Sequence, residues 1–145
     1  MTPPTVFIID DDAAVRDSLA LLLELKGFRT RQFASAEAFL GEYRPELPGC
    51  VVLDLRMPGM TGLELQAELA RREVKLPVIV VTAHGDVATT RTALKGGAID
   101  FIEKPIDDQA LIAAITAALD RDGRERAEAQ ASASVAERLA RLTGR

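Results

Sequence analysis

The stretch that decides the fold is Val51-Val52-Leu53-Asp54-Leu55-Arg56-Met57-Pro58-Gly59-Met60-Thr61-Gly62. It opens on a short apolar run, sets one acid at the end of that run, and passes into a helical pattern from Thr61 to about Arg72. Runs this short and rich in β-branched residues read as strands buried on both faces, as in a parallel sheet. The same unit recurs on both sides. Val6-Phe7-Ile8-Ile9 leads into Asp10-Asp11-Asp12 and then a helix with Val15, Leu19, Leu22 and Leu23 on one face. Asp12 is its expected N-cap and Gly27 its expected stop. Val78-Ile79-Val80-Val81 leads into Thr82 and a helix from Asp86 to Lys95. Phe101-Ile102, a weaker run, leads into Lys104-Pro105 and a helix starting near Asp107 or Asp108, with Leu111, Ile115, Ala118 and Leu119 on one stripe. Arg29-Thr30-Arg31-Gln32-Phe33 alternates in polarity, which suits an edge strand, and Ser35 is placed to cap a short helix through Leu40.

Strand and helix therefore alternate five times over, the pattern of an α/β domain with a parallel sheet and right-handed crossovers. With the polar second segment and the short fifth one at the edges, the expected strand order is 2-1-3-4-5, with helices on both faces. The domain is expected over residues 1–122. After Gly123 the composition shifts to Arg, Glu and Ala, and no strand candidate follows. Val135, Leu139 and Leu142 share a helical spacing, but that stripe is too thin for a core, so residues 123–145 read as a linker helix or tail.

Composition narrows the chemistry. The 145 residues carry a net charge of −4, which gives no electrostatic footprint for nucleic acid. At 48% hydrophobic the chain can bury a full core, although with 4% aromatics and no Trp the packing falls to Leu, Ile, Val and Ala. One Cys excludes an internal disulfide and a Cys-rich zinc site, and one His excludes a multi-histidine metal site. Cys50, at the start of the third strand, reads as an inert core thiol. The opening MTPPTVFIIDDD lacks the basic region and cleavage site of a signal peptide, and no apolar run approaches the ~20 residues that span a bilayer. A cytoplasmic protein with no membrane contact is expected.

In a 2-1-3-4-5 sheet the first and third strands are neighbours, and their carboxyl ends form the crevice where open α/β sheets bind ligands. Asp10, Asp11 and Asp54 converge there. Two like charges ~4 Å apart repel by about 4 kcal/mol at an effective dielectric near 20, so a proton or a cation belongs among them. Hard oxygen ligands of this kind suit Mg²⁺. Asp12 is assigned to the helix cap instead. Thr82 and Lys104 end the fourth and fifth strands on the same edge, where a hydroxyl and an ammonium suit phosphate oxygens. Lys104-Pro105 is a cis candidate.

These residues resemble the receiver domain of bacterial two-component response regulators over about residues 4–121. Asp-Asp after strand one, LDLRMPGMTG around Asp54, Thr82-Ala83 and Lys104-Pro105 stand in that family's order and spacing. The resemblance implies that Asp54 is the phosphoacceptor for a sensor histidine kinase. It implies that Asp11 ligates Mg²⁺ (or Mn²⁺ as substitute), with help from Asp10, Asp54 and the backbone carbonyl of Arg56. Thr82 and Lys104 would bind the phosphoryl oxygens, and Phe101 would hold the family's switch-aromatic position. Arg56 and His84 stand where the family tunes phosphoryl lifetime. The stretches SAEAFL, VTAHGD and ALKGGAIDFIEKP resemble the FixJ-type branch, and AERLARLTGR (136–145) resembles the linker and first residues of a LuxR-type helix-turn-helix domain. That branch implies dimerisation on phosphorylation, here through Arg91, Leu94, Lys95 and Ile99, and control of transcription through a DNA-binding domain beyond this chain. External substrate turnover is not expected.

Rival readings place their acids elsewhere. A haloacid-dehalogenase-like phosphatase would carry its nucleophile after strand one and further acids near strand four, where this chain has Thr82. A flavodoxin-like flavin binder needs a phosphate loop after strand one, where three aspartates would repel phosphate. A receiver that acts alone through protein contacts differs only in lacking the output domain.

Overall fold

The computed structural model describes residues 2–83 and 87–142. Five parallel strands form one sheet in the order β2-β1-β3-β4-β5: β1 Thr5–Ile9, β2 Arg29–Phe33, β3 Gly49–Asp54, β4 Val78–Thr82 and β5 Ala98–Glu103. The helices between and after them are α1 Ala13–Leu25, α2 Ala36–Glu42, α3 Gly62–Arg71, α4 Val87–Lys95 and α5 Asp108–Leu142.

The apolar runs sit where burial on both faces demands them. Every residue of β3 and β4 is buried, and alternate side chains feed two cores. One core joins Phe7, Ile9, Val51, Leu53 and Val80 to Phe33, Phe39, Leu65, Leu69 and Ala93. The other joins Val6, Ile8, Val52, Ile79 and Val81 to Leu19, Leu23 of α1 and Leu111, Ile115, Ala118 of α5. Phe7, Phe33, Phe39 and Tyr43 meet ring to ring with centroids 5.1 to 6.4 Å apart, which gathers four of the chain's six aromatic side chains beside β1. Polar β2 lies at the edge, four of its five residues exposed or half-buried.

The helix signals act locally. Asp12 accepts from Ala14 N at 2.9 Å as the α1 cap, and Gly27 stops that helix at φ +91°. Ser35 caps α2, which runs two residues past Leu40 to Glu42 because Phe39, on the core side, is fully buried in its second turn. Thr61 and Glu64 form a reciprocal capping box at the start of α3. Thr61→Ala is expected to lower stability by about 1 kcal/mol, read as a shift in the urea midpoint at unchanged slope.

Beyond Gly123, where the sequence reading left helix and tail open, α5 continues unbroken to Leu142. Gly123 carries no penalty severe enough to end a helix already nucleated by the packed turns before it. The described helices include none long and apolar enough to cross a membrane.

Candidate functional site

Parallel strands deliver their carboxyl ends to one edge, and the loops that leave them carry the polar groups. Asp10 follows β1, Asp54 ends β3, Thr82 ends β4 and Lys104 follows β5. Asp10 is 3% exposed and Asp54 8%, among the few buried charged or polar groups of the described residues.

Each acid is held by its own turn. Asp10 Oδ1 accepts from Asp12 N at 2.9 Å, its backbone N–H donates to Phe33 O, and its carbonyl accepts from the Arg16 guanidinium at 2.6 Å. Asp54 Oδ1 accepts from Arg56 N at 3.1 Å. Lys104 Nζ, half-buried, lies 3.0 Å from Asp10 Oδ2 and 3.5 Å from Asp54 Oδ2, so a single ammonium answers both carboxylates. Lys104 is itself placed by its backbone, which donates to Thr82 O at 2.8 Å, and its bond to Pro105 is cis. The carboxylate oxygens of Asp10, Asp11 and Asp54 fall within 4.8 Å of one another.

The electrostatics follow from that crowding. Burial pushes the Asp54 carboxyl above its ordinary range; Asp10 adds to the rise, while the Arg56 N–H and Lys104 oppose it. Burial disfavours the Lys104 charge, yet the Asp10 and Asp54 carboxylates outweigh it and hold the ammonium above its usual value. A site rich in negative charge, with one lysine between two buried acids, suits a further cation, and an anionic group bound there would compete with the acids for the lysine. Three hard carboxylates with Asp11 exposed to solvent match the oxygen donors that Mg²⁺ prefers.

The expected site residues divide clearly. Asp10, Asp11, Asp54 and Lys104 come together, and Thr82 is fully buried at the end of β4, its carbonyl accepting from Lys104 N. Asp12 stands apart as the helix cap. Arg56 is exposed on the rim. Phe101 is half-buried against the α3/α4 core. Arg91, Leu94 and Lys95 are exposed on α4, and Ile99 is half-buried on β5 against the α1/α5 core. His84 lies outside the described residues. Cys50 is fully buried, and burial pushes its thiol up to about 12.

Sequence reasoning missed Glu37. Its Oε1 accepts from Met60 N at 2.7 Å and so ties the loop after Asp54 to α2. An acid in the first turn of a short helix carries no sign of that reach.

The sequence and the fold are similar to those of known proteins. A profile described as the response regulator receiver domain matches residues 6–116. The transcriptional regulatory protein FixJ of Azorhizobium caulinodans is 49% identical over 140 residues, covering 97% of this chain and 66% of that protein. Nodulation protein W of Bradyrhizobium diazoefficiens is 45% identical over 129 residues, covering 89% of this chain and 56% of that protein. The crystal structure of FixJ-N superposes with a TM-score of 0.76 at 46% identity, covering 83% of this chain and 96% of the other. The chain thus spans between half and two-thirds of the length of these curated relatives.

Proposed function

Because the chain belongs to the response regulator receiver family and is similar to its FixJ-type members, we propose that Asp54 accepts a phosphoryl group from the phosphohistidine of a sensor histidine kinase. One observation carries this reading. A buried carboxylate at the mouth of the central strand shares one lysine with a second buried carboxylate, beside a third that faces solvent.

An Asp54 carboxylate oxygen forms the new P–O bond as the P–N bond of the donor breaks, and the departing electron pair stays on the imidazole. Asp10, Asp11, Asp54 and the Arg56 carbonyl would hold Mg²⁺, or Mn²⁺ in its place, which when bound neutralises charge on the phosphoryl oxygens. Lys104 is drawn from the Asp54 carboxylate to a phosphoryl oxygen, and the Thr82 hydroxyl donates to another. The acyl phosphate adds about −1.5 to −2 charges at a site that already holds three acids, which biases the domain toward a second arrangement. Thr82 shifts toward the new group, Phe101 turns into the space it leaves, and the α4-β5-α5 surface repacks. Arg56 on the rim, and His84 by its place in the family's sequence pattern, set how easily water reaches the acyl phosphate. Arg91, Leu94, Lys95 and Ile99 then form the contact of a homodimer. The chain acts in the cytoplasm and controls transcription through a LuxR-type helix-turn-helix domain beyond it, so DNA is a partner of that domain only.

Acetyl phosphate tests the reading without a kinase. Intact mass is expected to show one added phosphoryl group per chain, with Mg²⁺ required, and light scattering a monomer-to-dimer shift. Leu94→Arg should take up phosphoryl to the same extent and remain monomeric. An absence of Mg²⁺-dependent uptake sinks the acceptor reading; a phosphorylated monomer sinks only the dimer.

A further inference from the structure

At the amino ends of the strands, the opposite end of the sheet from the acids, α5 buries a third carboxylate. Asp122 is 4% exposed. Its Oδ2 accepts from the backbone N–H of Gly49, the first residue of β3, at 2.9 Å and from Arg126 Nε at 2.8 Å. The rest of the Arg126 guanidinium reaches the segment before β3: Nη1 donates to Pro45 O at 2.9 Å and Nη2 to Leu47 O at 2.8 Å. One fork therefore ties the helix to two loop carbonyls while its own partner ties the helix to a central strand. Burying a carboxylate is unfavourable unless it is paired and hydrogen-bonded, and this one is both.

The pair straddles a weak point. Gly123 lies one residue past Asp122, and a helix-interior glycine favours fraying. No residue of α5 beyond Asp122 is buried, and Leu139 at 57% exposure shows how little of the extension packs on the domain. Residues 127–142 are nonetheless helical, with Ala at 127, 129, 131, 133, 136 and 140. Such a segment is marginal alone but extends readily from a fixed turn.

We propose that Asp122 and Arg126 latch the root of the extension to the α2-β3 segment, so that residues 127–142 leave the domain as an ordered helical arm instead of a flexible tether. The arm is about 24 Å long at 1.5 Å per residue. A domain borne on it is held off the receiver in a set direction. The latch stands on its own contacts and holds whatever chemistry Asp54 performs.

Amide hydrogen exchange on the full chain, resolved by peptide, tests it. In the wild type, amides from Arg124 to about Ser134 should be protected. Arg126→Ala should raise their exchange about tenfold, as the loss of a charge-assisted anchor implies. Protection at 111–118 should stay unchanged, which separates local unlatching from general destabilisation. Arg121→Ala, which removes only the exposed pair with Glu125, should change nothing. Should Arg126→Ala fail to fold, Arg126→Lys keeps a charge beside Asp122 but forfeits the fork, and the same criterion applies. An unprotected extension in the wild type, or equal exchange in wild type and variant, overturns the latch.

Discussion

Asp54→Asn is expected to take up no phosphoryl group from acetyl phosphate with Mg²⁺ present, under conditions in which the wild-type chain gains one. A carboxamide has no anionic oxygen to attack phosphorus. The remaining acids are poor replacements: Asp10 is committed through Oδ1 to Asp12 N and through Oδ2 to Lys104, and Asp11 is exposed. Uptake by the variant would show that the acceptor lies elsewhere.

The same substitution has a second expected result, without metal or phosphodonor. Burial raises the Asp54 carboxyl in the fold, so the folded chain holds that proton more tightly than the unfolded chain does. A raised acid favours the fold below its unfolded value, near about 3.9 for Asp, and that contribution is lost as pH rises through the folded value. At neutral pH the ionised Asp54 therefore works against the fold. Metal-free Asp54→Asn should melt above the wild type at neutral pH, and the gap should close on acidification below the ordinary carboxylate range. A variant that melts lower at neutral pH would show that the ammonium of Lys104, at 3.5 Å, outweighs burial after all.

Gly49→Ala should have the largest effect on folding. Gly49 opens β3 at φ +152°, and an added Cβ would stand 1.9 Å from the Thr5 carbonyl oxygen and 3.1 Å from the Phe7 ring. Thr5 is its register partner in β1, and both strands lie in the sheet interior with neighbours on each side. Neither backbone has room to give. The substitution should cost about 3 kcal/mol or more, or prevent folding, read as the denaturation midpoint. Gly123→Ala is the counterpart: nothing lies within 4 Å of its added Cβ and the site is helical. It should stabilise the chain by about 0.5–1 kcal/mol.

Much of this was legible because the physics left marks in the chain. Strands buried on both faces cannot carry polar residues, so Val6–Ile9, Val51–Leu53 and Val78–Val81 stand out as apolar runs, and the polarity of Arg29–Phe33 betrays an edge. A parallel sheet sends every strand's carboxyl end the same way, so acids after the first and third strands had to meet Lys104 after the fifth. Asp122 and Arg126 left no such mark. Their spacing is that of an ordinary surface pair, the same as Arg121 with Glu125, and only the partners at Pro45, Leu47 and Gly49 set them apart. Those partners lie 73 or more positions away, and no local pattern encodes them. Glu37 escaped notice for the same reason, since Met60 is 23 positions on.

The bond from Lys104 to Asp10 joins positions 94 apart, from the loop after β1 to the loop after β5. A ribosome that has released only the first half of the domain has made every acid of the cluster and none of its cation. Such a fragment also lacks Thr82 and the last two strands that would hold β3 in place. The acid cluster and the lysine that bridges it are thus completed late in synthesis and all at once.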